Sequence, residues 1–235
     1  MPGSYDDNAP LRAGDPGQAQ DGQATTIARV PIRVFEPDRI ARGGIVLLHE
    51  SREFAETLLE LMTALSAEGW IVVAPNLFHR GADDDQVFGE ELFADFDACF
   101  DWLVRRGVYP DLTGVLGFDS AGTAAFLVAT NRRIGAAVSI AAPGIDEPLT
   151  ARADALIRAA AGLQAPWLGL YGADDPTTPV DQVERLRDAA AAAAVATLVV
   201  SYPGLRHRPD RPGADSDDEV PAHARIFDWF DSHLR

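Results

Sequence analysis

The chain has 235 residues, 47% hydrophobic and 24% charged, with a net charge of −16 at pH 7. That length suits one large domain with a substantial core, and the composition is ordinary for a soluble globular protein. The excess of acid argues against nucleic acid as a partner, because phosphates would be repelled.

No apolar run reaches the length of a membrane span, and no basic segment precedes a hydrophobic one at the start. A cytoplasmic protein without a membrane partner is therefore expected. Cys99 is the one cysteine, so an intrachain disulfide is impossible, and a buried structural thiol is expected. Every basic residue is Arg. If the substrate is an anion, its pocket must carry positive charge locally despite the overall acidity.

Residues 1–24 (MPGSYDDNAPLRAGDPGQAQDGQA) are rich in Gly, Pro, Asp and Gln and lack periodicity, which predicts a flexible arm. Residues 25–235 are then expected to form a single domain. Ile27 to Phe35 reads as a strand. Gly44 to His49 is a short continuous apolar run, the pattern of a strand buried on both faces.

Phe54 to Glu68 carries Leu58, Leu61, Met62 and Leu65 at helical spacing, and Trp70 to Ala74 is the next buried strand. The alternation continues with a helix at Leu92 to Arg106, a strand at Thr113 to Phe118 and a small-residue helix at Ser120 to Thr130. Strands follow at Ala136 to Ala141 and Pro166 to Tyr171, then a helix at Val180 to Ala194 and a strand at Thr197 to Tyr202. Ala222 to Leu234 is the closing helix. Such alternation predicts a mainly parallel sheet of about seven to eight strands with helices on both faces.

Val115 to Gly122 (VLGFDSAG) is an apolar strand turning directly into a helix, the setting of a nucleophile elbow. The turn is tight, so the residues two before and two after its centre must be small. With Asp119 central the flanks are Gly117 and Ala121; with Ser120 central they are Phe118 and Gly122. Sterics favour Asp119. The plain alternative is a strand-to-helix turn in which Asp119 caps the helix.

Two further strands end in polar loops, one holding Asp174 and Asp175 before Pro176, the other holding His207. Asp119, Asp175 and His207 thus follow the chain order nucleophile, acid, histidine of α/β-hydrolases. Turn formation would explain the acids, and a solvated loop position beside Arg206 and Arg208 would explain the histidine. The shared placement at strand ends favours a triad.

With these segments in place, the chain from about Gly43 onward resembles the dienelactone hydrolase family, which implies the α/β-hydrolase fold. GIVLLHE resembles that family's third strand, ending in a functional Glu at Glu50, and EGWIVVAPNLFHRG resembles the next strand and loop, with Arg80 at the Arg position. GFDSAG stands where the family has a Cys-centred elbow, GADDPTTP resembles the acid loop at Asp175, and YPGLRH matches the His segment at His207. Arg211 matches a position that helps bind a substrate carboxylate. The resemblance implies backbone donors at Ser51 and Ser120 for an oxyanion. With no metal-ligand spacing, G-x-G-x-x-G or P-loop string in the sequence, no cofactor and no metal are expected.

An aspartate at the elbow alters the chemistry. Attack of a carboxylate on an ester gives a mixed anhydride, a poor route; attack on an sp³ carbon gives an alkyl ester that activated water can cleave. The expected enzyme hydrolyses a small carboxylate-bearing lactone, ester, epoxide or halo acid. It would use Asp119 as nucleophile, with His207 and Asp175 activating water. A non-hydrolytic isomerase, cyclase or lyase is the alternative, in which Asp119 and Glu50 share a proton on a polyketide-like or lactone substrate. Arg80 and Arg211 are the candidates for an anionic substrate, and the chain is expected to be a monomer or homodimer. A third possibility is a decayed hydrolase kept for binding.

Overall fold

The computed structural model describes residues 3–13, 28–50, 54–79, 90–151, 153–211 and 220–235. Eight strands form one sheet: β1 (Gly3–Pro10), β2 (Arg29–Glu36), β3 (Gly43–Leu48), β4 (Trp70–Pro75), β5 (Thr113–Phe118), β6 (Ala136–Ile140), β7 (Trp167–Gly172) and β8 (Thr197–Tyr202). Their order is β1-β2-β4-β3-β5-β6-β7-β8. The pairs β1–β2 and β2–β4 are antiparallel, and all others are parallel. Every residue of β3, β4, β5, β6 and β7 is buried, as continuous apolar runs between two helical layers must be.

The helices are α1 (Glu56–Ala67), α2 (Glu90–Arg105), α3 (Asp119–Asn131), α4 (Leu156–Ala159), α5 (Val180–Ala190) and α6 (Ala222–His233). One core layer lies under α1 and α6 and includes Leu58, Met62, Ile226 and Phe230. The opposite layer, under α2, α3 and α5, includes Phe96, Phe126, Val183 and Leu186. Each such side chain contributes roughly 1.5–3 kcal/mol by leaving water. The α/β-hydrolase fold and its mainly parallel sheet are thus as the sequence predicts.

Of the flexible arm expected over residues 1–24, the part at Gly3–Pro10 is instead a strand, while residues 1, 2 and 14–24 lie outside the described residues. Gly3–Pro10 is an edge strand in register with β2, from Gly3 opposite Glu36 to Pro10 opposite Arg29. Polar side chains and one helix fasten it. Tyr5 donates to Glu36 at 2.7 Å, and the Trp102 indole of α2 donates to Asp7 at 3.0 Å. Arg12 bridges Asp97 at 3.0 Å and Asp101 at 2.7 Å, both on α2. An edge strand with one wet face can be this polar, and GSYDDNAP accordingly shows no apolar alternation.

All six strands from β3 to β8 run the same way, so the segments leaving them emerge along one edge of the sheet, where open α/β folds place their ligands. Glu50 follows β3, Asp119 follows β5, Asp175 follows β7 and His207 follows β8. Because β3 and β5 are neighbours, with Leu48 opposite Gly117, the residues leaving them start side by side.

Candidate active site

The turn from β5 into α3 is as tight as its sequence implies. Asp119 has φ 54°, in the left-handed region; for a residue other than glycine that costs on the order of 1–3 kcal/mol. A Cβ at Gly117 would lie 2.0 Å from the Ala121 carbonyl oxygen, so no other residue fits there. Phe118 occupies the helix cap with extended backbone, and Asp119 is the first helical residue. Capping is therefore not the role of Asp119. Its carboxylate is lifted from the sheet edge by a strained turn.

The acid and histidine loops are sewn together. Ala173 N–H donates to Tyr202 O, and Asp174 N–H donates to Leu205 O, each at 2.9 Å. A Cβ at Gly172 would stand 2.4 Å from the His207 carbonyl oxygen, so glycine there lets the two loops close. Asp175 is buried, at 3% exposure. Its Oδ1 accepts from the Thr177 N–H at 2.8 Å and from the Thr177 hydroxyl at 2.6 Å. Its Oδ2 lies 2.6 Å from His207 Nδ1. Burial pushes its carboxyl up, but the hydrogen bonds from His207 and Thr177 outweigh that and hold it below the usual range.

His207 Nε2 lies 2.8 Å from Asp119 Oδ1. That oxygen is shielded from solvent and has no aligned hydrogen bond, so the two atoms are close without hydrogen-bond geometry. Apo sites commonly hold their reacting groups this way. The sequence-predicted trio Asp119, His207 and Asp175 is thus one contiguous chain of side chains.

Glu50 lies beside it. Burial raises its carboxyl above the ordinary value, and the charge of Asp119 raises it further; the Ser120 hydroxyl, donating to Glu50, pulls the other way. Ser120 therefore turns toward Glu50, while Asp119 faces His207. Ser120 sits in the first turn of α3, where backbone N–H groups lack intrahelical partners. Ser51 and Arg80 lie outside the described residues.

Arg208 is the site residue that the sequence did not single out. Its guanidinium carbon stands 4.0 Å from the centre of the Phe118 ring. Its Nε and Nη2 donate to the two oxygens of Asp210 at 3.0 and 2.5 Å. The remaining Nη1 is 3.8 Å from Asp119 Oδ2. The only signal was adjacency to His207 in the string RHRPDR, which cannot reveal loop register. Arg211 is exposed and lines the same cavity, of about 1060 Å³, together with Glu50, Asp119 and Arg208.

Among the described residues, no cluster of His, Cys, Asp and Glu is arranged to hold a metal ion. Among them too, no helix is long and apolar enough to cross a membrane.

Residues 30–234 match the model of the dienelactone hydrolase family. A Yersinia pestis protein named "Putative carboxymethylenebutenolidase" is 25% identical over 224 residues, spanning 87% of this chain and 84% of its own. An Escherichia coli K12 protein of the same name is 26% identical over 207 residues, spanning 79% and 75%. The crystal structure of a "Putative Dienelactone Hydrolase" from Klebsiella pneumoniae superposes with a TM-score of 0.75 at 24% identity, covering 97% of this chain and 99% of that one. The chain belongs to the dienelactone hydrolase family and is a hydrolase of the α/β-hydrolase fold.

Proposed function

We propose that the protein hydrolyses a small carboxylate-bearing substrate through an ester formed on Asp119. The observation that carries this is the continuous line from Asp119 Oδ1 to His207 at 2.8 Å and from His207 to Asp175 at 2.6 Å. An Asp119 oxygen attacks an sp³ carbon, and the bond from that carbon to a halide or epoxide oxygen breaks, leaving an alkyl ester. A leaving halide departs as the anion; an epoxide alkoxide takes a proton from Glu50, which its surroundings keep protonated to higher pH than usual.

Once Asp119 is an ester, its charge no longer competes for His207 Nε2. That nitrogen takes a proton from water, and the hydroxide adds to the ester carbonyl. Collapse releases the alcohol and restores Asp119 with one oxygen from water. Ser120 N–H and the backbone at Ser51 are the candidate donors to the tetrahedral oxyanion. Arg208, Arg211 and Arg80 are the candidate partners of a substrate carboxylate; Arg208 has the geometric advantage, since Asp210 and Phe118 fix its orientation. Lactones and esters are the less natural substrates for a carboxylate nucleophile.

Replacing His207 with Gln tests the covalent step. With an epoxide or halo acid as probe, the variant is expected to stop after one turnover, with the mass of the alkyl group on the peptide holding Asp119. An unmodified Asp119 in a protein that still consumes the probe would overturn the proposal.

A second mode has its own support in the proximity of Glu50 to Asp119. Two neighbouring carboxylates can pass one proton and so serve an isomerase, cyclase or lyase. Solvent deuterium entering the product without net addition of water would single it out.

A further inference from the structure

We propose that the furrow between α1 and α6 is a binding channel for a linear apolar chain on the substrate. This use of the furrow rests on Asp119 as the reacting group. Helix α1 packs over β2 and β4, whereas α6 packs over β6 and β7. The two helices share one face of the sheet, and residues of both line the cavity beside Asp119.

The trough is continuous with the site. Asp119 and Glu50 line it, and so do Leu58, Leu61 and Ala64 of α1 and Ile226 and Phe227 of α6. Positions 58, 61 and 64 recur every three residues, so they make one stripe along α1. The Phe227 ring, one of the lining groups, stacks on Trp70, with centroids 6.3 Å apart.

The chemistry of the walls changes along the trough. Charged groups cluster at the Asp119 end, among them Glu50, Arg208 and Asp210. Farther along, the α1 and α6 stripes are aliphatic or aromatic, and Thr57, Glu60 and His223 join the lining from the same two helices. From Ala55 to Ala64 the α1 wall extends about 14 Å at the helical rise. Ala64, in this lining, is exposed and small. A headgroup-sized substrate would occupy only the charged end of a cavity of about 1060 Å³. A molecule with a polar reacting end and an unbranched hydrocarbon tail matches both regions.

Binding and turnover read this separately. Calorimetric titration with primary alcohols from butanol to decanol is expected to show Kd falling about two- to fourfold per added methylene. The variant Ala64→Trp, which fills the lower trough, is expected to abolish the advantage of decanol over butanol. Thr63→Trp, at an exposed position of α1 that does not line the trough, should retain it. Chain-independent binding in the unaltered protein, or a decanol advantage that survives Ala64→Trp, would overturn the channel.

Mass analysis of His207→Gln treated with 1,2-epoxydecane then tests Asp119 by itself. Chain-dependent alcohol binding without alkylation of Asp119 would remove the covalent reading and leave the channel standing.

Discussion

Two carboxylates of this molecule are both pushed up by burial, yet they end on opposite sides of the ordinary range. Asp175, at the end of β7, is almost wholly enclosed, yet its carboxyl is held below the ordinary range. Glu50, at the end of β3, is an exposed residue, yet its carboxyl is raised. The difference lies in what each carboxyl faces. Asp175 receives two hydrogen bonds from Thr177 and one contact from His207, all favouring the charged form. Glu50 has its inner side desolvated against Asp119, and one hydroxyl from Ser120 does not offset that. Burial raises both carboxyls, and the donors facing each decide whether that rise is overcome.

In the proposed mechanism that contrast suits Asp175 to steady orientation of a histidine and Glu50 to holding a mobile proton. The most drastic way to break it is Asp119→Asn, which removes both the proposed nucleophile and the charge beside Glu50. Activity on the true substrate should fall about 10⁴-fold or more, measured as kcat with circular dichroism confirming an intact fold. The same variant should move the Glu50 carboxyl down toward its ordinary value, read by carboxyl-carbon NMR titration.

Next in size is Asp175→Asn, expected to lower kcat by about 10²- to 10⁴-fold through loss of the His207 tautomer and orientation. Its stability effect has a definite sign. Because the Asp175 carboxyl sits lower in the folded than in the unfolded chain, it stabilises the fold above the unfolded value. That contribution is lost as pH falls through the folded value. The Tm gap between unaltered protein and variant should therefore be widest near neutrality and close on acidification.

Arg208→Gln should cost about tenfold in kcat/KM on an anionic substrate, with Arg208→Lys recovering part of it. Equal loss on a neutral analogue would place Arg208 outside substrate recognition. The smallest effect is Glu50→Gln. A carboxyl raised on folding destabilises the fold once pH exceeds its unfolded value, so removing it should raise Tm slightly near neutrality. The gain should vanish at pH values where the carboxyl is protonated in both states, opposite in sign to Asp175→Asn.

Much of this was legible in the sequence where physics is local. Buried parallel strands must be continuous apolar runs, and the elbow's sterics could be judged from Gly117 and Ala121 alone. The Cβ clash at Gly117 is the structural counterpart of that argument. The order of Asp119, Asp175 and His207 pointed to three strand ends that the parallel sheet then brings to one edge. What failed to show was held by partners distant in sequence. β1 is fixed by Glu36 and by Trp102, Asp97 and Asp101 of α2, none of which local periodicity can reveal. Arg208 became a site residue only because Asp210 and Phe118 turn its guanidinium toward Asp119. The trough between α1 and α6 depends on which strands each helix covers, and that is a property of topology.

The most direct test of Asp119 as nucleophile is a single turnover in H₂¹⁸O with enzyme in excess of an epoxide or halo-acid probe. The account predicts one ¹⁸O atom in the carboxylate of Asp119, found by mass spectrometry of its peptide, and an unlabelled hydroxyl in the product. Label in the product hydroxyl with an unlabelled Asp119 would mean that water attacked the substrate directly, and the ester on Asp119 would be contradicted.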